Sequence, residues 1–210
     1  MNRVKTAISI AVLMFASITA AQENPVMNLV RENYSPDSYI NLEFDHSLFW
    51  SVREREEKKS GVLLLAPGEK FRARLGNDIL VSDGETYWQY SELNSQVIIH
   101  NLSDIDLSYH PSNLLSAHLT GRTFEEVSTQ DNLITVKSDQ ADRQFASVEI
   151  VVEKESGIIK QLKMVDNNQN INTYTFNSTV LGESIPAKEF VFDIPENTDV
   201  LDMREGHASH

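Results

Sequence analysis

Between Pro67 and Ile99 the chain passes repeatedly from short apolar runs to turn chemistry, a rhythm that a helix cannot accommodate and an antiparallel meander requires. Pro67-Gly68 ends one run. Residues 71–75 then alternate Phe71, Ala73 and Leu75 with Arg72 and Arg74, and Gly76-Asn77-Asp78 turns the chain into Ile79-Leu80-Val81. Ser82-Asp83-Gly84 leads next into Thr86-Tyr87-Trp88-Gln89-Tyr90, because Asp-Gly supplies the positive φ that a tight hairpin needs. Asp83 is accordingly a turn residue rather than an acid poised for chemistry.

The same period-2 pattern recurs outside this stretch. Ile40, Leu42 and Phe44 alternate with polar neighbours, and further strands are expected at 62–65, 133–136, 145–152, 158–164, 173–176 and 190–194. The charged run 53–59 sits between two of them and is expected to be a solvated hairpin end. Helical spacing occurs twice. Residues 23–34 place Val26, Leu29 and Val30 on one face behind an Asn24 cap and Pro25, and His110-Pro111-Ser112-Asn113 opens a second helix through Leu114, Leu115, His118 and Leu119 that Gly121 closes. Many strands with so few helices, and no internal repeat or linker, indicate an α+β fold on one large antiparallel sheet.

Arg3 and Lys5 precede an apolar run over 7–18, and Thr19-Ala20-Ala21 offers small residues for cleavage, so residues 1–21 are expected to be a secretory signal peptide cut near Ala20/Ala21. The run falls short of the roughly 20 residues that span a bilayer. Residues 22–203 then make a single domain and 204–210, without apolar content, a disordered tail. The chain has no cysteine, so an exported form has neither a disulfide nor a thiol to carry a lipid. Its 31 acidic and 18 basic side chains leave a net charge of −13, which repels nucleic acid and anionic headgroups alike.

Catalytic patterns are missing from the sequence. His46, His100, His110, His118, His207 and His210 stand in unrelated contexts, with no H-E-x-x-H, no G-x-S-x-G and no glycine-rich phosphate loop. The chain reads as a binding protein, not an enzyme. Val62, Leu64, Phe71, Leu75, Trp88, Tyr90, Val97 and Ile99 share the parity expected for one face of the meander, which makes them the candidate wall of an apolar cavity. An ordinary core filled by the two helices remains the alternative on the residues alone.

P-G-x-K-F-R at 67–72, L-V-S-D-G at 80–84, P-x-x-L-L at 111–115 and F-x-F-x-I-P at 190–195, followed by Asp199 and Asp202, resemble the outer-membrane lipoprotein carrier family, LolA. The resemblance implies an incomplete antiparallel β-barrel around a hydrophobic cavity with a short helical lid, here Val26, Leu29, Val30, Leu114, Leu115 and Leu119. It implies no cofactor. It further implies a periplasmic monomer that does not insert into membranes, takes acylated lipoproteins released by an inner-membrane ABC transporter and passes them to an outer-membrane receptor. Two positions depart from the family: Ala66 stands where a basic residue reaches the lid, and Ala73 where tryptophan is common. Ala66 shares the parity of Val62 and Leu64 and is expected to face inward. A receptor-like or envelope-stress-sensing relative, and a periplasmic hydrolase using scattered carboxylates, are the competing readings.

Overall fold

Turn chemistry sets the strand breaks. Asp83 accepts hydrogen bonds from the backbone N–H groups of Glu85 (2.9 Å) and Thr86 (2.8 Å), which fixes the Asp83-Gly84 hairpin as its sequence predicts. A computed structural model describes residues 24–105, 115 and 119–204. The expected leader, the start of the second helix including Leu114, and the tail beyond Arg204 lie outside the described residues.

One α-helix, α1 (Val26–Asn33), precedes twelve strands. They are β1 (Ile40–Trp50), β2 (Arg55–Ala66), β3 (Lys70–Leu75), β4 (Asp78–Asp83), β5 (Thr86–Ser91), β6 (Gln96–Asn101), β7 (Glu125–Gln130), β8 (Leu133–Ser138), β9 (Phe145–Glu153), β10 (Ile159–Asp166), β11 (Ile171–Leu181) and β12 (Asp199–Asp202). All belong to one sheet in the order β12-β6-β5-β4-β3-β2-β1-β11-β10-β9-β8-β7, antiparallel except for the β12–β6 pair. The outermost strands, β12 and β7, do not pair with each other. This is an incomplete barrel, an open and strongly curved sheet.

The curvature follows from the core. Tyr87 of β5 and Ile134 of β8 lie far apart in strand order, yet both join one buried cluster with Ile40, Leu42, Leu63, Phe71, Ile150 and Leu162, so the sheet must wrap around it. A bulge where Glu43 and Phe44 face Ser178 and Phe176 adds a residue to β11 and bends the sheet at its middle. Two chain crossings then cover the two faces. β6 and β7 lie near opposite ends of the strand order, and the described residues of their connection, Leu102, Leu115, Leu119 and Phe124, are buried in the main cluster on the concave side beside α1. The connection from β11 to β12 crosses the outer side, carrying Phe190 and Phe192 into burial.

Three expectations change. The charged run does not end a hairpin but continues it, Arg55 pairing with Trp50 and Lys59 with His46, and the turn falls at 51–54 with Glu54 at φ 47°. Exposed ion pairs along it, Arg55 to Glu57 at 3.5 Å and Lys58 to Glu56 at 3.0 Å, contribute little. Residues 190–194 form no strand; a 3-10 turn, Ala187–Phe190, and an irregular arm lie there because this segment crosses the strands instead of pairing with them. β7 and β12 are additions to the expected strands, since neither carries a buried stripe that would mark it in the sequence.

Candidate functional site

A helix of eight residues is too short to be stable alone, so α1 exists by docking. Asn24 caps it, accepting from Val26 N at 3.0 Å, and Val26, Met27 and Val30 turn into the concave cluster. Tyr34 Oη accepts from the N–H of Ile159 at 3.0 Å, and burial pushes this phenol up to about 12. The helix sits on the β9–β10 turn at Gly157, where φ is +68° and a Cβ would stand 2.7 Å from Leu29 Cβ. Leu29 therefore faces that turn, 39% exposed, rather than the cavity.

Arg31 reaches the covering segment. Its Nε donates to Leu119 O (3.2 Å) and its Nη2 to Arg122 O (3.2 Å). The buried Arg122 in turn donates to Gln140 O and pairs with Asp142. Burial opposes ionisation of Asp142, but N–H donors from Phe145 and Gln144 and the Arg122 charge outweigh it and hold the carboxyl below its usual range. The tie between helix and covering segment thus comes from Arg31, which the sequence did not single out. Ala66 has no such role: it pairs with Lys70 and shares the parity of Leu64, so it faces the outer side, contrary to expectation.

The eight expected wall residues divide between the faces. Phe71 is buried in the concave cluster and Leu75 packs against it. Trp88, Tyr90, Val97 and Ile99 do not; with Ile79, Val81 and Phe192 they form a second cluster on the outer side, where Tyr90 lies 5.3 Å from Phe192. Val62 and Leu64 also point outward, paired with Arg74 and Arg72, while Leu63 and Leu65 are the concave residues of β2. Arg72 anchors the crossing arm by donating to Glu189 O (3.3 Å) and Val191 O (3.5 Å). Of the expected lid, Val26, Val30, Leu115 and Leu119 are buried in the concave cluster.

What the parity rule missed is the aromatic row on β1 and β11. Phe176, Phe44, Tyr174 and His46 line the concave side in sequence, with centroid separations of 6.3, 5.6 and 4.4 Å. Gly61 opposite Phe44 makes room for it, since a Cβ there would meet Phe44 Cζ at 2.6 Å. F-x-H at 44–46 and Y-x-F at 174–176 carry the signal in the sequence. Tyr174 is only partly buried, as are Leu75, Leu80, Ile105 and Phe145, so the concave wall keeps accessible apolar surface.

A separate groove of about 490 Å³ crosses β1, β2 and β11, lined by Asp45, His46, Ser47, Glu56, Lys58, Lys59, Ser60, Thr173 and Thr175. Most of these residues have the outer parity and engage one another: Ser60 donates to Asp45 at 2.6 Å and Ser47 to Glu56 at 2.6 Å, which holds both carboxylates low. Charged and hydroxyl side chains predominate in its lining, and His46 is shared with the concave aromatic row. Every carboxylate with a resolved shift, Asp45, Glu56 and Asp142, is pushed down, so none of the three is a proton donor at neutral pH. Among the described residues no cluster of metal-ligating side chains occurs, and no helix is long and apolar enough to cross a membrane.

The family model for outer membrane lipoprotein carrier protein LolA matches residues 19–193. The chain belongs to the LolA family. An outer-membrane lipoprotein carrier protein of Psychromonas ingrahamii is 26% identical over 97% of this chain and 100% of its own length. One from Pseudomonas entomophila is 30% identical over 59% of this chain and 60% of its own. A protein of Thermus thermophilus, 13% identical, superposes with a TM-score of 0.55 over 84% of this chain and 96% of its own, a likeness of fold. In LolA terms, the open sheet, the helix and the covering segment are the half-barrel and its lid.

Proposed function

We propose that this protein is a periplasmic carrier that shields the acyl chains of lipoproteins between the inner and outer membranes. One observation supports the reading above the others: the concave face is lined by apolar side chains from at least eight strands and, among the described residues, is covered by α1 and by Leu102, Leu115, Leu119 and Phe124, with Tyr174, Leu75, Leu80, Ile105 and Phe145 left partly accessible. Each methylene exposed to water costs about 0.8 kcal/mol, so a lipid-modified protein needs such a face to cross an aqueous space. Membership of the LolA family and the names of the curated relatives point the same way.

The rest of the transport cycle belongs to the same proposal. The expected leader exports the chain, an inner-membrane ABC transporter loads it and an outer-membrane receptor unloads it, while the net charge of −13 keeps it off anionic headgroups. The direct test uses a fluorescent apolar probe. It should bind the purified protein and be displaced by a diacylated lipopeptide but not by the unacylated peptide. A folded protein that binds neither probe nor lipopeptide would end the carrier reading.

A further inference from the structure

Polar side chains recur on the concave parity, among them Lys59, Gln89, His100 and Ser138, but one group of them is built into the aromatic row. His46 and Tyr174 are direct cross-strand partners on β1 and β11, their rings stacked 4.4 Å apart at 17°. Asn172 is the next concave residue of β11, and its Oδ1 lies 3.2 Å from His46 Nε2. Above and below stand hydrocarbon neighbours: Phe44 beside Tyr174 at 5.6 Å, Leu162 paired with Tyr174, and Met164 paired with Asn172. A carboxamide oxygen only accepts, so Nε2 carries the proton and Nδ1 is left as an acceptor. Neither Nδ1 nor the Tyr174 hydroxyl has a hydrogen-bond partner among the described residues. The wall therefore presents one donor and one acceptor on adjoining, partly exposed rings, and a ligand group that pairs with both replaces their contacts with water.

We propose that His46, Asn172 and Tyr174 form a subsite for a secondary amide, the group that joins an acyl chain to a polypeptide amine, with the chain lying along Phe44 and Phe176. The inference rests on the carrier reading and adds a chemical preference to it. An amide supplies both a carbonyl for the Tyr174 hydroxyl and an N–H for His46 Nδ1. An ester of the same chain satisfies only the tyrosine, and a hydrocarbon satisfies neither. Asn172 touches no ligand; it sets the imidazole tautomer. Burial raises the Tyr174 phenol to about 12, so it is a donor throughout the physiological range. Lys59, across β1–β2 from His46, adds positive charge that disfavours a free ammonium and leaves a neutral amide unaffected.

The test is competition against a bound apolar fluorophore by three probes of equal chain length: N-methyldodecanamide, methyl dodecanoate and dodecane. The amide should displace the fluorophore at a concentration at least about fivefold below the ester, the worth of one net hydrogen bond. Tyr174→Phe should bring the amide towards the dodecane value while leaving the urea midpoint unchanged or higher, which a merely structural tyrosine would not do. His46→Phe keeps the stack and should close the gap between amide and ester. Equal displacement by amide and ester in the unaltered protein, or a gap that survives both substitutions, overturns the subsite and leaves the carrier reading standing. Failure of all three probes overturns both.

Discussion

At the scale of single residues, the concave side is held by a few polar contacts made where hydrophobic burial alone would leave backbone groups unpaired. Tyr34 is the clearest case, because its hydroxyl is the partner of the Ile159 N–H in a buried setting. Tyr34→Phe should cost about 1–3 kcal/mol, the penalty of an orphaned buried donor, read from the shift of a urea unfolding curve. A shift near zero would mean that water replaces the hydroxyl. Two titrating groups carry opposite chemistry and the same sign. Asp142 is held low by N–H donors and Arg122, so its contribution is present above the unfolded carboxylate range and is lost as pH falls through the folded value. His46 is held low by desolvation, outweighing its bond to Asn172 and helped by Lys59. Its neutral form is therefore favoured on folding, and that contribution is full above about 6.5 and fades as pH drops below it. Stability measured from pH 7.5 to 5.5 should fall, and His46→Phe should flatten the decline.

At the scale of elements, legibility in the sequence depended on whether the polar residues of a strand marked one face. β3 is legible because Arg72 and Arg74 declare the outer side and leave Phe71, Ala73 and Leu75 for the concave one. β5 and β6 mislead for a physical reason: their larger apolar residues, Trp88, Tyr90, Val97 and Ile99, cover the outer face because the C-terminal arm lies there, while Gln89 and His100 take the concave parity. In β2 the run Val62-Leu63-Leu64-Leu65-Ala66 is apolar on both parities, so register is open until pairing with Phe71 and Arg72 decides it. The fold class was legible from turn chemistry; the wall was not, because a sheet covered on both sides loses the alternation that names its inside. α1 shows the same dependence on neighbours. Its docking turn tolerates only glycine at 157, since both φ and the 2.7 Å approach of Leu29 Cβ exclude a side chain. Gly157→Val should lower stability by more than about 1 kcal/mol and expose the helix, which would appear as faster hydrogen exchange in Val26–Asn33 than in β9 and β10. Uniform change across all three would show that helix and sheet open as one unit.

At the scale of the whole molecule, one sheet serves two apolar clusters with different jobs, and the covering on each side indicates which. The concave cluster is closed by a short helix and a crossing segment tied down through Arg31, whereas the outer cluster is sealed by an arm whose Phe190 and Phe192 are buried and whose carbonyls are held by Arg72. A carrier must open one apolar face to load and release, and the other must stay shut to keep the sheet stable while it does. Phe192→Ala separates the two. Truncating a buried phenylalanine costs roughly 3–5 kcal/mol in a packed core, somewhat less where the site can collapse. The unfolding midpoint should drop accordingly. Binding of an apolar fluorophore and its displacement by a diacylated lipopeptide should keep the affinity of the unaltered protein, because the outer cluster contributes nothing to the concave wall. If binding is lost while the protein remains folded, the cargo surface is the one formed by Trp88, Tyr90, Val97 and Ile99, and the arm rather than α1 is what moves.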